Sequence, residues 1–216
     1  MRAFEIVPLS YLRRFLTPSV CALLLLGNLH CSSVLGIEDA KCDPAIAECN
    51  PDGPSRLCQD YCGAVMANCT EDNAVYESLA TCYGVCKLLD PGEVGSDSGN
   101  TVRCRLHQAI AAGPEGVNEP ASHCAGAGPG GEGADGEALC ADNCEGYCGL
   151  MQAACDDFGS LSACRAACSQ VPDLGGYDTS HSEGDSLQCR LWHLSAAALE
   201  PNPHCLHAAG KSYCVP

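Results

Sequence analysis

No window of this chain alternates apolar and polar residues for long enough to make a strand, and its apolar positions recur instead at helical spacing. Cys58, Cys62 and Cys69 stand at offsets of 4 and 11. At about 100° per residue they fall within roughly 40° of one another, on one helical face. Cys144, Cys148 and Cys155 repeat the spacing. A second helix is expected to begin after Ser78 and again after Ser160, each a side-chain acceptor ahead of Leu79 or Leu161. It carries Cys82 with Cys86, or Cys164 with Cys168. A third is expected to open at Asn100 or Asp185 and run on as TVRCRLHQAIAA or SLQCRLWHLSAAALE, with Pro201 stopping the second version. The pattern therefore predicts a small, disulfide-rich all-α fold of two tandem repeats, each of about three short helices.

The repeat is carried by cysteine. The first copy uses Cys58, Cys62, Cys69, Cys82, Cys86, Cys104, Cys124 and Cys140, and the second uses Cys144, Cys148, Cys155, Cys164, Cys168, Cys189, Cys205 and Cys214. Aligned on these positions, Tyr61 meets Tyr147, Gly63 meets Gly149, Ala67 meets Ala153, Leu79 meets Leu161, Arg105 meets Arg190 and His123 meets His204. Duplication accounts for that many coincidences. The copies span about 58–142 and 143–216, and residues 32–57 read as a proline-punctuated linker with a loop closed by Cys42 and Cys49.

The only long apolar run lies at the start, from Val20 to Leu29 behind Arg13 and Arg14. A basic stretch followed by a short apolar one is the layout of an export signal, too short to span a bilayer as a helix. Cys31 follows directly and would be lipidated if cleavage falls before it; cleavage after Gly36 is the alternative, giving a freely secreted chain. An exported chain suits the composition, since 20 cysteines in 216 residues mark a disulfide framework. The 28 alanines leave few bulky side chains for a core, and bridges worth roughly 2–4 kcal/mol each replace the missing burial.

Beyond residue 31 the chain has 8 Lys and Arg against 26 Asp and Glu. Such a surface repels nucleic acid and anionic lipid and favours cations or basic partners. Membrane attachment is therefore expected only through an N-terminal lipid.

The two C-x3-C helices of each copy resemble the twin C-x3-C α-hairpin of small disulfide-stapled chaperones and toxins, over residues 58–86 and 144–168. Cys69 and Cys155 are additional to that pattern, so its functions do not carry over. An antiparallel hairpin of this kind suggests Cys58–Cys86 with Cys62–Cys82, leaving Cys69 to reach Cys104 and Cys124 to close on Cys140, and the second copy alike. Eight cysteines permit 105 connectivities, and the pairing is one preference among them. The whole layout, with CRLWH and HCLHAAG, more loosely resembles uncharacterised Cys-rich lipoproteins of Gram-negative bacteria, which implies an outer-membrane or surface address and no known activity.

Three imidazoles, His193, His204 and His207, gather around Cys205 in the second copy and are candidate ligands for Zn²⁺ or Cu²⁺ where every thiol is oxidised. The first copy keeps His123 alone, with Gln108 and Gly126 aligned to His193 and His207. The alternative is that these histidines cap helices or bond backbone carbonyls. Asp90, Glu93 and Asp97, and Asp173, Asp178, Glu183 and Asp185, could make weak Ca²⁺ sites, although their spacing fits no EF-hand. Arg105 and Arg190 are expected to pair with those acidic loops, Tyr61 and Tyr147 to pack on a neighbouring bridge, and Trp192 either to pack or to stand as a contact residue. Gly126, Gly128 and Gly131 match G-x-G-x-x-G without the preceding strand a dinucleotide site requires. No nucleophile–base pair and no C-x-x-C stand out, so no catalytic residue is assigned. The expectation is a non-enzymatic envelope or secreted protein that binds another protein, a polysaccharide or a cationic ligand. Metal sequestration through the second-copy histidines is the rival; a secreted hydrolase is the third and weakest reading.

Overall fold

The computed structural model describes residues 53–114, 116 and 119–215. The expected export signal, Cys31 and the expected Cys42–Cys49 loop lie outside the described residues. Among those described, eight α-helices and no strand are present, so the chain is all-helical. The helices are α1 (Arg56–Asn68), α2 (Leu79–Leu88), α3 (Val102–Ala111), α4 (Pro120–Ala127), α5 (Asn143–Ala154), α6 (Leu161–Cys168), α7 (Leu187–Ala197) and α8 (Pro201–Ala208).

Most helix starts are set by a short polar side chain. Ser55, Ser78, Thr101, Asp142, Ser160 and Ser186 each accept a hydrogen bond from a backbone N–H in the first turn of α1, α2, α3, α5, α6 and α7. Ser78 and Ser160 stand where the sequence puts them. The third helix of each half starts one residue later than expected, with Thr101 and Ser186 in place of Asn100 and Asp185 as the capping residues.

Each half has four helices rather than three. Pro120 and Pro201 sit at the first turn of α4 and α8, where proline's missing N–H costs nothing and its fixed φ suits a helix. Pro201 follows the end of α7, as the sequence expects, and also heads α8, whose backbone departs from helical geometry at Asn202 before the helix runs on.

The extra helix reroutes two bridges in each half. Cys58–Cys86 and Cys62–Cys82 close the α1–α2 hairpin as expected, and Cys144–Cys168 and Cys148–Cys164 do so for α5 and α6. Cys69 at the end of α1 joins Cys124 on α4, and Cys155 joins Cys205 on α8. Cys104 on α3 then takes Cys140, and Cys189 on α7 takes Cys214. The expected Cys69–Cys104 and Cys124–Cys140 pairs, and their second-half counterparts, are therefore corrected. The two halves carry the same four connections in the same order.

In the core, Tyr61, Val65, Val75 and Val85 of the first half and Tyr147, Leu150, Met151, Leu187, Leu191 and Leu194 of the second surround buried bridges. The halves meet along α2. A Cβ at Gly84 would lie 3.1 Å from both Ala198 Cβ and Leu199 Cδ2, so glycine there lets the chain beyond α7 approach α2. The Thr179 N–H donates to Ala74 O at 2.8 Å, and the Asn143 N–H to the buried Glu132 carboxylate at 3.1 Å.

Candidate functional site: a histidine cluster in the second half

α7 and α8 pack against each other; Cys155–Cys205 ties α8 to the end of α5, and Cys189–Cys214 ties α7 to the stretch that follows α8. His193 lies four residues, or one turn, beyond Cys189 on α7. His204 and His207 flank Cys205 on α8, three residues apart and so on one face. The three predicted ligands come together, and one nitrogen from each lies within 4.8 Å of the others. His193 is buried and the other two are partly exposed. His193 Nδ1 and His204 Nδ1 are 3.0 Å apart, within hydrogen-bond reach. His193 Nε2 and His207 Nδ1 are buried and have no hydrogen-bond partner.

Aromatic rings enclose the cluster. Trp192 packs edge-on to His193 with centroids 4.8 Å apart and lies 6.1 Å from His204. Tyr213 stacks on His207 at 5.0 Å and meets His193 edge-on at 5.0 Å. Burial, with the neighbouring His207 and His204 adding to it, pushes the His193 pKa down to about 4. Burial also lowers that of His204, helped by His207 and opposed by Glu200 and Glu77. Neutral imidazole is the ligand form, so at neutral pH a metal need not expel a charge-bearing proton from His193.

The first half shows what the same frame looks like without the cluster. Gln108 stands in the place of His193, and His123 Nδ1 is 2.6 Å from Gln108 Oε1, matching the His193–His204 contact. Gly126 stands in the place of His207. A Cβ there would lie 2.7 Å from Leu139 Cδ1, so Leu139 fills the room that a ring would need. Tyr213 takes the place of Leu139, each preceding the last cysteine of its half. The residue sequence reasoning missed is thus Tyr213, and its offset from Cys214 was the signal that could have found it.

Other candidates are placed less favourably. The loop carboxylates do not converge. Asp90, Asp173 and Asp178 accept from the N–H two residues on, at 2.7–3.1 Å, each closing its own turn. Glu183 accepts from the Tyr213 hydroxyl, and Asp185 is 3.9 Å from Arg190. Arg105 contacts no acidic loop: its guanidinium is fully buried and donates to Thr101 O, Gly128 O and Pro129 O, which corrects the expected pairing. Tyr61 and Tyr147 do more than pack on a bridge, since their hydroxyls donate to Ala127 O at 2.6 Å and Ala208 O at 2.8 Å. Among the described residues, the other close donor group is Cys189, His193 and Cys214, in which both cysteines are bonded to each other.

Residues 52–143, less than half of the chain, match the model of the BfoA family C-terminal domain. The matched stretch takes in α1 to α4 and ends at the first residue of α5, so His193, His204 and His207 lie outside it. No curated protein and no solved structure matches the chain.

Proposed function

We propose that this is an exported metal-binding protein, a disulfide-locked frame that holds a late first-row divalent ion on His193, His204 and His207. The observation that carries the reading is the meeting of three imidazoles with two orphaned buried nitrogens, in a frame whose other half closes the same space with Gln108 and Leu139. A buried nitrogen left without a partner costs about 1–3 kcal/mol, and an ion bound at His207 Nδ1 removes that cost for this ring. Zn–N bonds of about 2.0–2.1 Å put two nitrogens of a tetrahedral site about 3.3 Å apart. The 3.0 Å between His193 Nδ1 and His204 Nδ1 is close to that, so an ion between them replaces the shared proton with little movement. Imidazole suits Zn²⁺ and Cu²⁺, with water or a partner group completing the shell. We assign the protein no catalytic step.

The bridges fit an oxidising compartment. No helix among the described residues is long and apolar enough to cross a membrane. Attachment through a lipid on Cys31 to an outer membrane or cell surface is part of the proposal, and radiolabelled palmitate should mark that residue. Calorimetry of the full chain with Zn²⁺ and with Cu²⁺ tests the site itself. One ion should bind per chain at micromolar concentration, and Cu²⁺ should quench Trp192, the only tryptophan. His193→Gln together with His207→Gln should abolish both signals. No heat with either metal would defeat the reading.

A second reading rests on charge. The formal net charge of −16 supports contact with a basic envelope protein or another cationic ligand. A polysaccharide would have to be recognised through other groups. A pull-down from cell envelopes with the His193→Gln, His207→Gln variant separates the two, since a surface interaction survives loss of the imidazoles.

A further inference from the structure

His193 belongs to two donor groups at once. Besides the imidazole trio, one of its nitrogens lies within 4.8 Å of the sulfurs of Cys189 and Cys214, and all three of these residues are buried. As a disulfide the two sulfurs are poor ligands, because the thiolate is the form that binds metal. The bridge itself differs in setting from most of the others. Six of the eight described bridges link two helices, or a helix and the residue that ends one. Cys189–Cys214 ties α7 to an irregular stretch in which residues 211–213 and 215 are exposed. That stretch is fastened to the rest of the chain by the Lys211–Asp157 ion pair and the Tyr213–Glu183 hydrogen bond, both at the surface. An irregular stretch fastened by surface polar contacts opens at lower free energy than a packed helix pair. The corresponding first-half bridge, Cys104–Cys140, has Gln108 rather than histidine one turn along α3 and so offers no donor group.

We propose that Cys189, His193 and Cys214 form a latent soft-metal site, opened when a dithiol reduces their disulfide and suited to Zn²⁺, Cd²⁺ or Cu⁺. The inference rests on the reading of His193 as a ligand. In the opening step the reductant loses two hydrogens and closes to its own disulfide; the Cys189–Cys214 bond breaks and each sulfur gains one hydrogen. The incoming ion then displaces both thiol protons into solvent, leaving two thiolates and one neutral imidazole around it, with no change in the metal's oxidation state. Soft thiolates draw zinc, cadmium and cuprous ions more strongly than an all-imidazole set does. Because His193 is common to both groups, an ion held by the thiolates takes it from the trio, and the two sites exclude each other.

Cobalt(II) is a suitable probe, since thiolate ligation gives it a near-ultraviolet charge-transfer band that imidazole ligation does not. The full chain is titrated with Co²⁺ before and after treatment with one equivalent of a dithiol, desalting without air and mapping of free thiols by alkylation. The oxidised protein should bind Co²⁺ without the band. The reduced protein should show free thiols at Cys189 and Cys214 and gain the band. Cys189→Ser with Cys214→Ser should lose the band under the reducing treatment and keep the oxidised spectrum. Should that variant fail to fold, His193→Gln keeps both thiols, and its reduced form should hold Co²⁺ more weakly than the reduced parent. Free thiols at Cys189 and Cys214 with no band would overturn the proposal, as would a dose that opens other bridges while this one stays closed. Failure of the imidazole reading looks different: the oxidised protein would take up no Co²⁺, and only a band in the reduced protein would then support the latent site.

Discussion

Arg105 is the costliest single residue to bury in the first half, a fully enclosed cation whose partners are all carbonyl oxygens. Burial pulls its pKa down, and the nearby Tyr61 and Tyr76 oppose that shift. What it secures is the exit of α4: Arg105 holds Gly128 O and Pro129 O, while Tyr61, bonded to Tyr76 at 2.8 Å, holds Ala127 O. Three consecutive carbonyls, at the last residue of α4 and in the two residues after it, are satisfied from α1 and α3. Arg190, its aligned counterpart, has its Nε buried and unpartnered and Asp185 3.9 Å away. Truncation should therefore separate the two. Hydrogen bonds to a charged group are worth about 1.5–3 kcal/mol, and Arg105→Ala should lower stability by about 3 kcal/mol. Arg190→Ala should cost no more than about 1 kcal/mol, since a loose and partly exposed ion pair contributes little. Urea midpoints of the two variants check the ordering. Sequence alone pointed both arginines at acidic loops, because nothing in a single chain reveals a cluster of carbonyls.

At the level of elements, the hairpins α1–α2 and α5–α6 were legible because helical spacing fixes which cysteines share a face. Serine caps added the starts of α2 and α6. The fourth helices were not legible. PASHCAGA and PNPHCLHA carry little amphipathic signal, and Pro201 reads as the end of the helix before it, with no sign that another helix begins there. Missing α4 and α8 then misassigned two bridges in each half. His193, His204 and His207 still come together, because their short offsets from Cys189 and Cys205 hold whichever way the cysteines pair and α7 packs on α8. Proteolytic mapping of unreduced protein should return peptides joined by Cys69–Cys124 and Cys155–Cys205. The longer bridge should also matter more. With a sequence separation of 50, Cys155–Cys205 restricts the unfolded chain by about 4 kcal/mol, against about 3 kcal/mol for Cys148–Cys164 with a separation of 16. Paired Cys→Ala variants, compared by denaturant midpoint, test that order.

Across the whole molecule, the same acidity that the composition announces acts on the site at a distance. The chain carries a formal net charge of −16, whereas the proposed ligands are imidazoles, of which His193 is buried and held neutral. A surface of one sign concentrates counter-ions around the protein and speeds their arrival without altering the bonds they finally make. Salt should therefore act on binding kinetics asymmetrically. Raising ionic strength from about 0.01 M to about 0.15 M shortens the screening length from roughly 30 Å to roughly 8 Å. The association rate of Zn²⁺, followed by competition with a chromophoric chelator, should fall over that range. Its dissociation rate should stay within about twofold, because neutral nitrogens at bonding distance are not screened. Were dissociation instead to accelerate in step with salt, the ion would be sitting in the diffuse acidic field, and the imidazoles of α7 and α8 would not be its ligands.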